Sequence, residues 1–446
     1  MTIDLRDQLH EFCAVIEDEQ GPITVDDVQA RNDTVISDDR TTRPVASVHR
    51  GWLVAGAAAV LVVVASLPLL LLSESNQPEV AASVPGTLSS QTWSRVPDDE
   101  TVLGGPDGQG MVSVTVGGPG LIAVGGDGDD AAVWTSTDGV TWSRAPHDED
   151  VFGGPGGLGM SSVTAGGPGL VAVGGDGAGI AVWTSVDGIK WSRVAHDETV
   201  FGEASVFSVI EGGPGLVAVG STEPSNNTSR LFNVDAVVWT SVDGIAWSRV
   251  PHDETVFGGD ENQLMNDVTV GGPGLVAVGY DGCCSWDNPL GVAAVWTSVD
   301  GVVWSRVLHD DSVFGPRNEA MVSVTAGGPG LVAVGYSFGC RPVWTSVDGI
   351  TWSRVPNDVP GACNRVMRDV IATEAGLVAV GHDAASWTSV DGITWTLIPF
   401  DRATRGPAVR RMVSVTASEL GLVAVGAVGI DRDHDQKDAE VWIWND

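Results

Sequence analysis

Hydrophobic and polar residues alternate along most of the chain after residue 90, and the alternation returns at intervals. The pattern is clearest from Trp344 to Val355, where two short alternating runs are joined by Asp-Gly. Alternation with period two, rich in β-branched and aromatic residues, is typical of a half-buried strand. Asp-Gly between two such runs indicates a tight turn, because glycine tolerates positive φ and the aspartate carboxylate accepts nearby backbone N–H groups. Each copy is therefore predicted to be strand, turn, strand.

This phrase belongs to a longer unit that occurs seven times. Each unit also contains runs such as Met-Val-Ser-Val-Thr (321–325) and Leu-Val-Ala-Val-Gly (331–335), joined in five of the seven units by Gly-Gly-Pro-Gly. Four short strands per unit, at intervals of 43 to 57 residues, indicate the blades of a β-propeller. The second tryptophan of the phrase occurs at Trp93, Trp142, Trp191, Trp247, Trp304, Trp352 and Trp395, and the first at Trp134, Trp183, Trp239, Trp296, Trp344, Trp387 and Trp442.

The two ends of the repeat region complement each other. The region begins with a lone outer strand at 92–96 and ends with a lone third strand at 441–444. Pairing them completes a seventh blade and leaves no open sheet edge. The predicted fold is all-β: a seven-bladed propeller over residues 92–446, closed by its N- and C-terminal strands.

The turn phrase resembles the Asp-box of the sialidase-like (BNR-repeat) β-propellers, Ser-x-Asp-x-Gly-x-x-Trp. Here it runs from Ser346 through Asp348 and Gly349 to Trp352, one residue shorter, and every copy is shortened in the same way. The resemblance implies a propeller in a membrane-anchored ectodomain of bacterial type. It also implies a structural box on the hairpin between third and fourth strands, facing away from any active site. The aspartates concerned are Asp138, Asp187, Asp243, Asp300, Asp348 and Asp391.

The N-terminal part of the chain has a different pattern. Trp52 to Leu72 is an uncharged run of 21 residues, long enough to cross a bilayer core of about 30 Å. Three arginines precede the run, whereas glutamates follow it, which predicts a cytoplasmic N-terminus. The expected order is a cytoplasmic acidic tail (1–50), a transmembrane helix (51–72), a linker (73–91) and an extracellular propeller on a single-pass plasma-membrane protein. A cleaved signal peptide is the alternative, although its apolar core is usually shorter.

Charge narrows the choice of partners. Aspartate and glutamate number 58 against 23 lysines and arginines, a formal net charge of −35. Nucleic acid is disfavoured, because its binders present basic surfaces. An acidic surface of this kind instead suits cations and basic partners.

Sequence variation collects at one face of the predicted propeller. Propeller topology puts the Gly-Gly-Pro-Gly and Asp-Gly turns at one face, and at the other the loops after the second strand of each unit. Those loops differ most in blades 4 and 5, which hold both tyrosines of the chain. Aromatic rings on variable loops are common in binding surfaces. The predicted contacts are Tyr280, Trp286, Asp287, Tyr336, Phe338 and Arg341.

Two function classes follow. The first is a non-enzymatic binding, sensing or protein-interaction module with an unknown protein or glycan ligand. The second is a sialidase-like glycoside hydrolase, which would need three converging arginines, a tyrosine nucleophile with a glutamate, and an aspartate. The repeat arginines, such as Arg144 and Arg354, belong to outer strands and are not expected to converge. No catalytic residue is assigned.

Two sets of residues, one of triplets that begin with histidine and one of aspartates, are candidate metal ligands. The triplets that begin at His147, His196, His252 and His309 follow successive outer strands, and a loop-capping role is favoured for them. Aspartates that follow the second strand could instead form a carboxylate ring for Ca²⁺, an oxygen-preferring cation; ordinary Asp-Gly turn chemistry is the alternative. That set is Asp127, Asp176, Asp281 and Asp383, with Asp431, Asp433 and Asp435 in the last such loop.

Four cysteines follow the predicted membrane span, and all fall in loops of blades 4 and 5. An even number in an oxidising compartment suggests two disulfides. Cys340 with Cys363 is one pairing, which leaves Cys283 with Cys284 as a vicinal bridge; pairs that cross between the blades are the alternative.

Overall fold

Seven four-stranded antiparallel sheets make up the structure. The computed structural model describes residues 92–97, 99–105, 108–154, 159–175, 179–222, 234–259, 261–282, 291–337, 342–356, 359–361, 365–398, 409–429 and 437–445. These residues belong to a single compact unit. The sequence prediction of a seven-bladed all-β propeller is confirmed.

The strands are numbered in chain order, and each blade runs from the axis outward. Blade 1 contains β2 (Gln109–Gly117), β3 (Gly120–Asp127), β4 (Asp130–Ser136) and β5 (Trp142–Arg144). Blade 2 contains β6 (Gly159–Gly166), β7 (Gly169–Gly175), β8 (Ile180–Ser185) and β9 (Trp191–Arg193). Blade 3 contains β10 (Ala204–Gly212), β11 (Gly215–Thr222), β12 (Ala236–Ser241) and β13 (Trp247–Arg249). Blade 4 contains β14 (Gln263–Gly271), β15 (Gly274–Asp281), β16 (Val292–Ser298) and β17 (Trp304–Arg306).

The remaining blades follow the same order. Blade 5 contains β18 (Glu319–Gly327), β19 (Gly330–Ser337), β20 (Val343–Ser346) and β21 (Trp352–Arg354). Blade 6 contains β22 (Met367–Thr373), β23 (Gly376–Gly381), β24 (Ser386–Ser389) and β25 (Thr396–Ile398). Blade 7 contains β26 (Val409–Ser418), β27 (Gly421–Gly429), β28 (Lys437–Asn445) and β1 (Thr92–Arg95). Short helices α1 (Glu149–Phe152) and α2 (Asp311–Phe314) lie in two of the crossings between blades.

Contacts between first strands arrange the blades in a closed ring. The first strand of each blade contacts the first strand of the next, and β2 contacts β26 to complete the circle. Blade 7 is closed by β1, which pairs with β28 and places Trp93 opposite Trp444. The two indole rings meet edge to face with their centroids 4.9 Å apart. The predicted pairing of the terminal strands is therefore confirmed.

The hydrophobic core lies between neighbouring blades. One cluster, for example, joins Ile122 and Val124 of blade 1 to Val163 and Leu170 of blade 2. The first-position tryptophans are at most 1% exposed. Trp344 shows how the indole N–H is satisfied: Nε1 donates to the Val313 carbonyl in the preceding crossing, at 2.7 Å. The first-position tryptophans of blades 1 to 6 all make such a bond and so fasten a crossing loop to the blade while they fill the core.

A β-bulge in every first strand explains the glycine that ends the Leu-Val-Ala-Val-Gly run. The ladder between β18 and β19 shifts register between Met321 and Ser323, and the other six blades shift at the equivalent place. The bulge pushes backbone toward the second strand, so that an added Cβ on Gly335 would overlap the Ala320 carbonyl oxygen. Glycine is required there because only it allows this close approach.

Within the part of the chain that the structure describes, no helix is long and apolar enough to cross a membrane. The span predicted at residues 51–72 lies outside that part, as do the predicted cytoplasmic tail and the linker.

Candidate functional site

One end of the ring, here called the variable end, carries the loop after each second strand. The residue directly after the bulge-facing glycine marks this end in each blade. It is small in blades 1, 2, 3 and 7 but large in three consecutive blades, where Tyr280, Tyr336 and His382 occupy it. The variable end is therefore asymmetric around the axis, and the large side chains at this position lie in blades 4 to 6.

Tyr280 and Tyr336 differ in what they offer to a ligand. Tyr280 is only 6% exposed and packs with Leu264 and Ala320, whereas Tyr336 and Phe207 are half-buried against this cluster. Burial raises the pKa of Tyr280 above its ordinary value, and the nearby Tyr336 adds to the effect. Tyr280 thus lies beneath this surface, whereas Tyr336 and Phe207 are more accessible. That Tyr280 contacts a ligand stays a prediction.

A set of arginines lies on the other side of the same end, at the first strands of blades 6 and 7. The Arg368 Nε–H donates to Nε2 of His382 at 3.1 Å. His382 in turn bridges to Arg411 through the backbone. Because an arginine donor requires an acceptor, Nε2 of His382 carries no proton in this arrangement. The set is Arg365, Arg368, Arg410 and Arg411.

Two of these arginines have acidic partners of their own. Arg410 Nε lies 2.9 Å from Glu440 Oε1, and Arg95 Nη1 lies 3.0 Å from the same oxygen. Arg365 Nε lies 3.7 Å from Asp383 Oδ2. Burial raises the pKa of Glu440, while both arginines oppose that rise. Arg368 and Arg411 lie beside His382 at this end of blades 6 and 7, in a chain of strongly negative net charge.

Below this end the first strands are tied to one another by a polar belt, formed by the residue that follows each bulge. Asp267 shows the pattern: Oδ1 accepts from the Ser208 hydroxyl at 2.8 Å, and Oδ2 accepts from the Val324 N–H at 2.9 Å. Its partners belong to the blades on either side. The belt consists of Ser113, Ser162, Ser208, Asp267, Ser323, Asp369 and Ser414.

The two carboxylates of the belt have raised pKa values. Burial raises the pKa of Asp267 to about 6, and the charge of Asp369 contributes in the same direction. Burial also raises the pKa of Asp369. Asp369 accepts from the Ser323 hydroxyl at 3.0 Å and from the Val415 N–H at 2.8 Å, bonds that partly stabilise its charged form. Loss or gain of a proton here alters the contact between neighbouring blades.

The opposite end of the ring carries the six Asp-Gly turns. In blade 5, Asp348 Oδ1 accepts from the N–H groups of Ile350 and Thr351 at 2.9 and 2.6 Å, and the Ser346 hydroxyl accepts from the Gly349 N–H at 2.9 Å. The other five turns repeat the aspartate bonds. These bonds lower the pKa of all six aspartates, that of Asp138 to about 2. The carboxylates are thus engaged with their own turns.

The aspartates weighed for a calcium ring face arginines instead of one another. Asp127 pairs with Arg144, and Asp281 pairs with Arg306, each within its own blade. Asp383, at a φ of 61°, faces Arg365. The structure does not bring these three carboxylates together, and each faces a cation already.

Several predicted residues lie outside the described ranges, and the predictions for them stay predictions. They are Trp286, Asp287, Phe338 and Arg341 of the binding set, Asp176, Asp431, Asp433 and Asp435 of the calcium set, and Cys283, Cys284, Cys340 and Cys363.

Comparison with known proteins gives likenesses of fold. The chain matches no protein-family model and no curated protein sequence. Among solved structures it is similar to YCF48 bound to D1 peptide, at 14% identity and a TM-score of 0.48, over 83% of this chain and 100% of that one. A streptogramin B lyase is similar at 10% identity and a TM-score of 0.46, over 80% of this chain and 98% of that one.

A protein of unknown function from Dyadobacter fermentans DSM 18053 is similar at 15% identity and a TM-score of 0.37, over 70% of this chain and 98% of that one. Likenesses this weak do not bear on the function of the chain. These three structures do not show the sialidase-like identity that the turn phrase suggests.

The arginine set and the belt carboxylates were missed by reasoning from the sequence, although a signal for them exists. The repeat reads Met-Val-Ser-Val at 111–114 and 321–324, but Met367-Arg368-Asp369-Val370 in blade 6. Aligning the seven units position by position exposes this departure. A comparison of loop lengths does not reveal it, because Arg368 and Asp369 lie within a strand.

Proposed function

We propose that the propeller is a non-enzymatic binding module whose ligand docks on the variable end, across blades 3 to 7. The break in repeat symmetry there carries the proposal. Half-buried Phe207 and Tyr336 lie on one side, and Arg368 and Arg411 with His382 lie on the other. The Asp-Gly turn end is nearly identical from blade to blade. A site that recognises one ligand needs such local differences.

The chemistry of the two sides indicates the ligand class. Aromatic rings bind apolar or ring-bearing groups at low entropic cost, while arginines bind carboxylates through charge-assisted hydrogen bonds. A protein segment with an apolar side chain beside a carboxylate fits both sides. An acidic glycan is the other ligand with a carboxylate.

Sialidase-like hydrolysis is the second candidate function, and the arginines near His382 are the observation in its favour. The state of Tyr280 counts against it. A tyrosine nucleophile must be accessible and acidic, whereas Tyr280 is buried with a raised pKa. Glu319 and Glu440, both buried, are already paired with arginines. We therefore expect no turnover of a fluorogenic sialoside by the purified chain.

The same proposal includes the membrane anchor: residues 51–72 hold the chain in the plasma membrane, with 1–50 in the cytoplasm and the propeller outside. The uncharged run and the arginines before it support this arrangement. Protease added to intact cells should release the propeller and spare an epitope tag at the N-terminus. Loss of that tag in intact cells would reverse the orientation.

Array binding tests the docking surface. The purified chain should be applied to an array of carboxylate-bearing peptides and to a glycan array, alongside the variants Tyr336→Ala, Arg368→Ala and Val347→Ala. Val347 is 74% exposed at the opposite end and serves as the control. We expect at least a tenfold loss of affinity for the first two variants and none for the third. Binding that only Val347→Ala weakens would contradict the proposal.

A further inference from the structure

Blade 1 brings a histidine and two carboxylates together on its outer side. Asp130 opens β4, and His147 and Glu149 lie in the crossing after β5. Nε2 of His147 is 3.7 Å from Asp130 Oδ2 and 3.3 Å from Glu149 Oε2. The middle residue of the triplet, Asp148, caps α1 by accepting from the Asp150 N–H. The loop-capping role expected for the whole triplet thus belongs to Asp148, and it leaves the other two side chains for another use.

Blade 3 repeats this arrangement. Nε2 of His252 is 3.8 Å from Asp235 Oδ2 and 3.0 Å from Glu254 Oε2. In both groups one ligand atom from each of the three residues lies within 4.8 Å of the others. The second carboxylate oxygen of Asp235, Oδ1, is buried and has no hydrogen-bond partner. A buried, unpaired carboxylate oxygen is costly unless a cation compensates it.

Blades 2 and 4 lack the third ligand and serve as internal references. They keep the pair of histidine and acid, with His196 Nε2 3.0 Å from Glu198 and His309 Nε2 2.9 Å from Asp311. The position of Asp130 is Gly179 in blade 2 and Val292 in blade 4. The pair is therefore a common property of the repeat, and the strand aspartate is particular to blades 1 and 3.

The separations match a specific coordination geometry. Tetrahedral zinc with bonds of about 2.0–2.2 Å to nitrogen and oxygen places its ligand atoms about 3.3–3.6 Å apart. The histidine-to-carboxylate separations of 3.0 to 3.8 Å in the two groups bracket that range. Imidazole with two carboxylates is a donor set that zinc accepts, with water completing the shell.

We propose that blades 1 and 3 each bind one zinc-class divalent cation, through Asp130, His147 and Glu149 and through Asp235, His252 and Glu254. Each ion ties the start of the third strand to the crossing that leaves the blade, at the outer rim of the variable end. The ligands are exposed, so at least one coordination position stays open to water.

Neighbouring charges make blade 1 the stronger of the two sites. In blade 1 Arg144 is paired with Asp127, so it does not compete with the metal ion for Asp130. In blade 3 the position of Asp127 is Thr222, so the equivalent arginine, Arg249, meets no acid at that position and competes with the ion. We therefore expect the two sites to differ in affinity.

Titration with Co²⁺ and Zn²⁺ tests the proposal on the full chain after chelator treatment. Tetrahedral Co²⁺ gives visible absorption bands, and Zn²⁺ should displace them. We expect two ions per chain, one in each of His147→Ala and His252→Ala, and none in the double variant. Asp130→Asn and Asp235→Asn should each weaken one site by at least tenfold, since even an outer-shell change costs about that much. Circular dichroism establishes that each variant is folded.

Blades 2 and 4 supply the controls. His196→Ala and His309→Ala should leave two ions bound. Val292→Asp gives blade 4 the donor set of blade 1, and it should raise the number to three. Absence of saturable binding at micromolar metal would overturn the proposal, as would a loss of ions from His196→Ala equal to that from His147→Ala.

Discussion

At the scale of single residues, the aspartates at the two ends of the molecule have opposite pKa shifts for identifiable reasons. Asp348 is exposed and accepts two backbone N–H groups, and these bonds lower its pKa. Asp267 accepts a similar number of bonds but is packed between two blades, and burial raises its pKa to about 6. The same residue type therefore stabilises a turn at one place and opposes ionisation at another.

The first prediction concerns the turn. Asp348→Ala should lower the melting temperature, because two N–H groups lose their acceptor, while Val347→Ala on the same turn should leave it unchanged. Since the folded pKa of Asp348 lies below its ordinary 3.8, its contribution is present above about pH 4 and is lost as the pH falls through the folded pKa. Thermal melts of both variants from pH 2 to 8 measure this.

A difference between Asp348→Ala and wild type that stays constant down to pH 2 would contradict this account. Loss of ligand affinity in Asp348→Ala at an unchanged melting temperature would assign the turn a binding role.

The second prediction concerns the belt. Five blades carry serine where blade 4 has Asp267, so Asp267→Ser is a substitution that the fold already accommodates. The folded pKa of Asp267 is about 6 against 3.8 unfolded. Its protonated form therefore favours folding below pH 4, and that advantage is lost as the pH rises through 6. Relative to wild type, Asp267→Ser should become more stable as the pH increases from 4 to 7.

Urea unfolding at several pH values measures this difference, with Ser162→Ala as the control, because the Ser162 hydroxyl of the belt accepts from the Val209 N–H. A gap between wild type and Asp267→Ser that does not change with pH would show that the carboxylate is charged throughout.

At the scale of elements, strands and turns were predictable because each is specified by local chemistry. Period-two alternation identified the strands, and Asp-Gly with its serine two residues earlier identified the turns that the hydrogen bonds around Asp348 describe. The bulge was not predictable from one unit. In the sequence the bulge is visible only as a glycine on the second strand. Glycine is needed there because a carbonyl oxygen of the first strand lies too close for a side chain.

The candidate site was predictable only in part, for the same reason. Tyr336 was found because it is rare in the chain and lies beside a variable loop. Arg368 and His382 come from different strands, and their contact depends on the pairing of β22 with β23. The burial of Tyr280 likewise depends on Ala320 of the next blade. The sequence therefore predicted the strands and turns themselves but not the contacts between them.

The third prediction concerns closure of the ring. Trp93 is 6% exposed, packs against Trp444 and donates to the Ser386 hydroxyl at 2.9 Å. Trp93→Ala should cost about 3–5 kcal/mol, the usual range for a large aromatic removed from a core. Trp142→Ala, at the equivalent position of blade 1 with the same exposure, should cost a similar amount. Denaturant unfolding of both variants compares them directly.

A cost below about 1 kcal/mol for Trp93→Ala beside a full cost for Trp142→Ala would mean that β1 is dispensable. The ring would then hold without its N-terminal strand.

At the scale of the whole molecule, a repeated scaffold carries a few unrepeated features. Identical turns, tryptophans and bulges build the ring, and departures from the repeat fall at the variable end of blades 3 to 7 and at the outer sides of blades 1 and 3. The whole chain has a net charge of −35, so the arginines around His382 stand out as places for an anion. The proposed ligand contacts and the proposed metal ligands are different residues, so each can be removed without the other.

The most direct measurement of the docking surface is hydrogen–deuterium exchange with and without a ligand found on the arrays. The account predicts that the ligand slows exchange at the first strands of blades 5 to 7, residues 319–323, 365–369 and 409–413, and leaves the Asp-Gly turn at 347–351 unchanged. Protection confined to the Asp-Gly turns would contradict it.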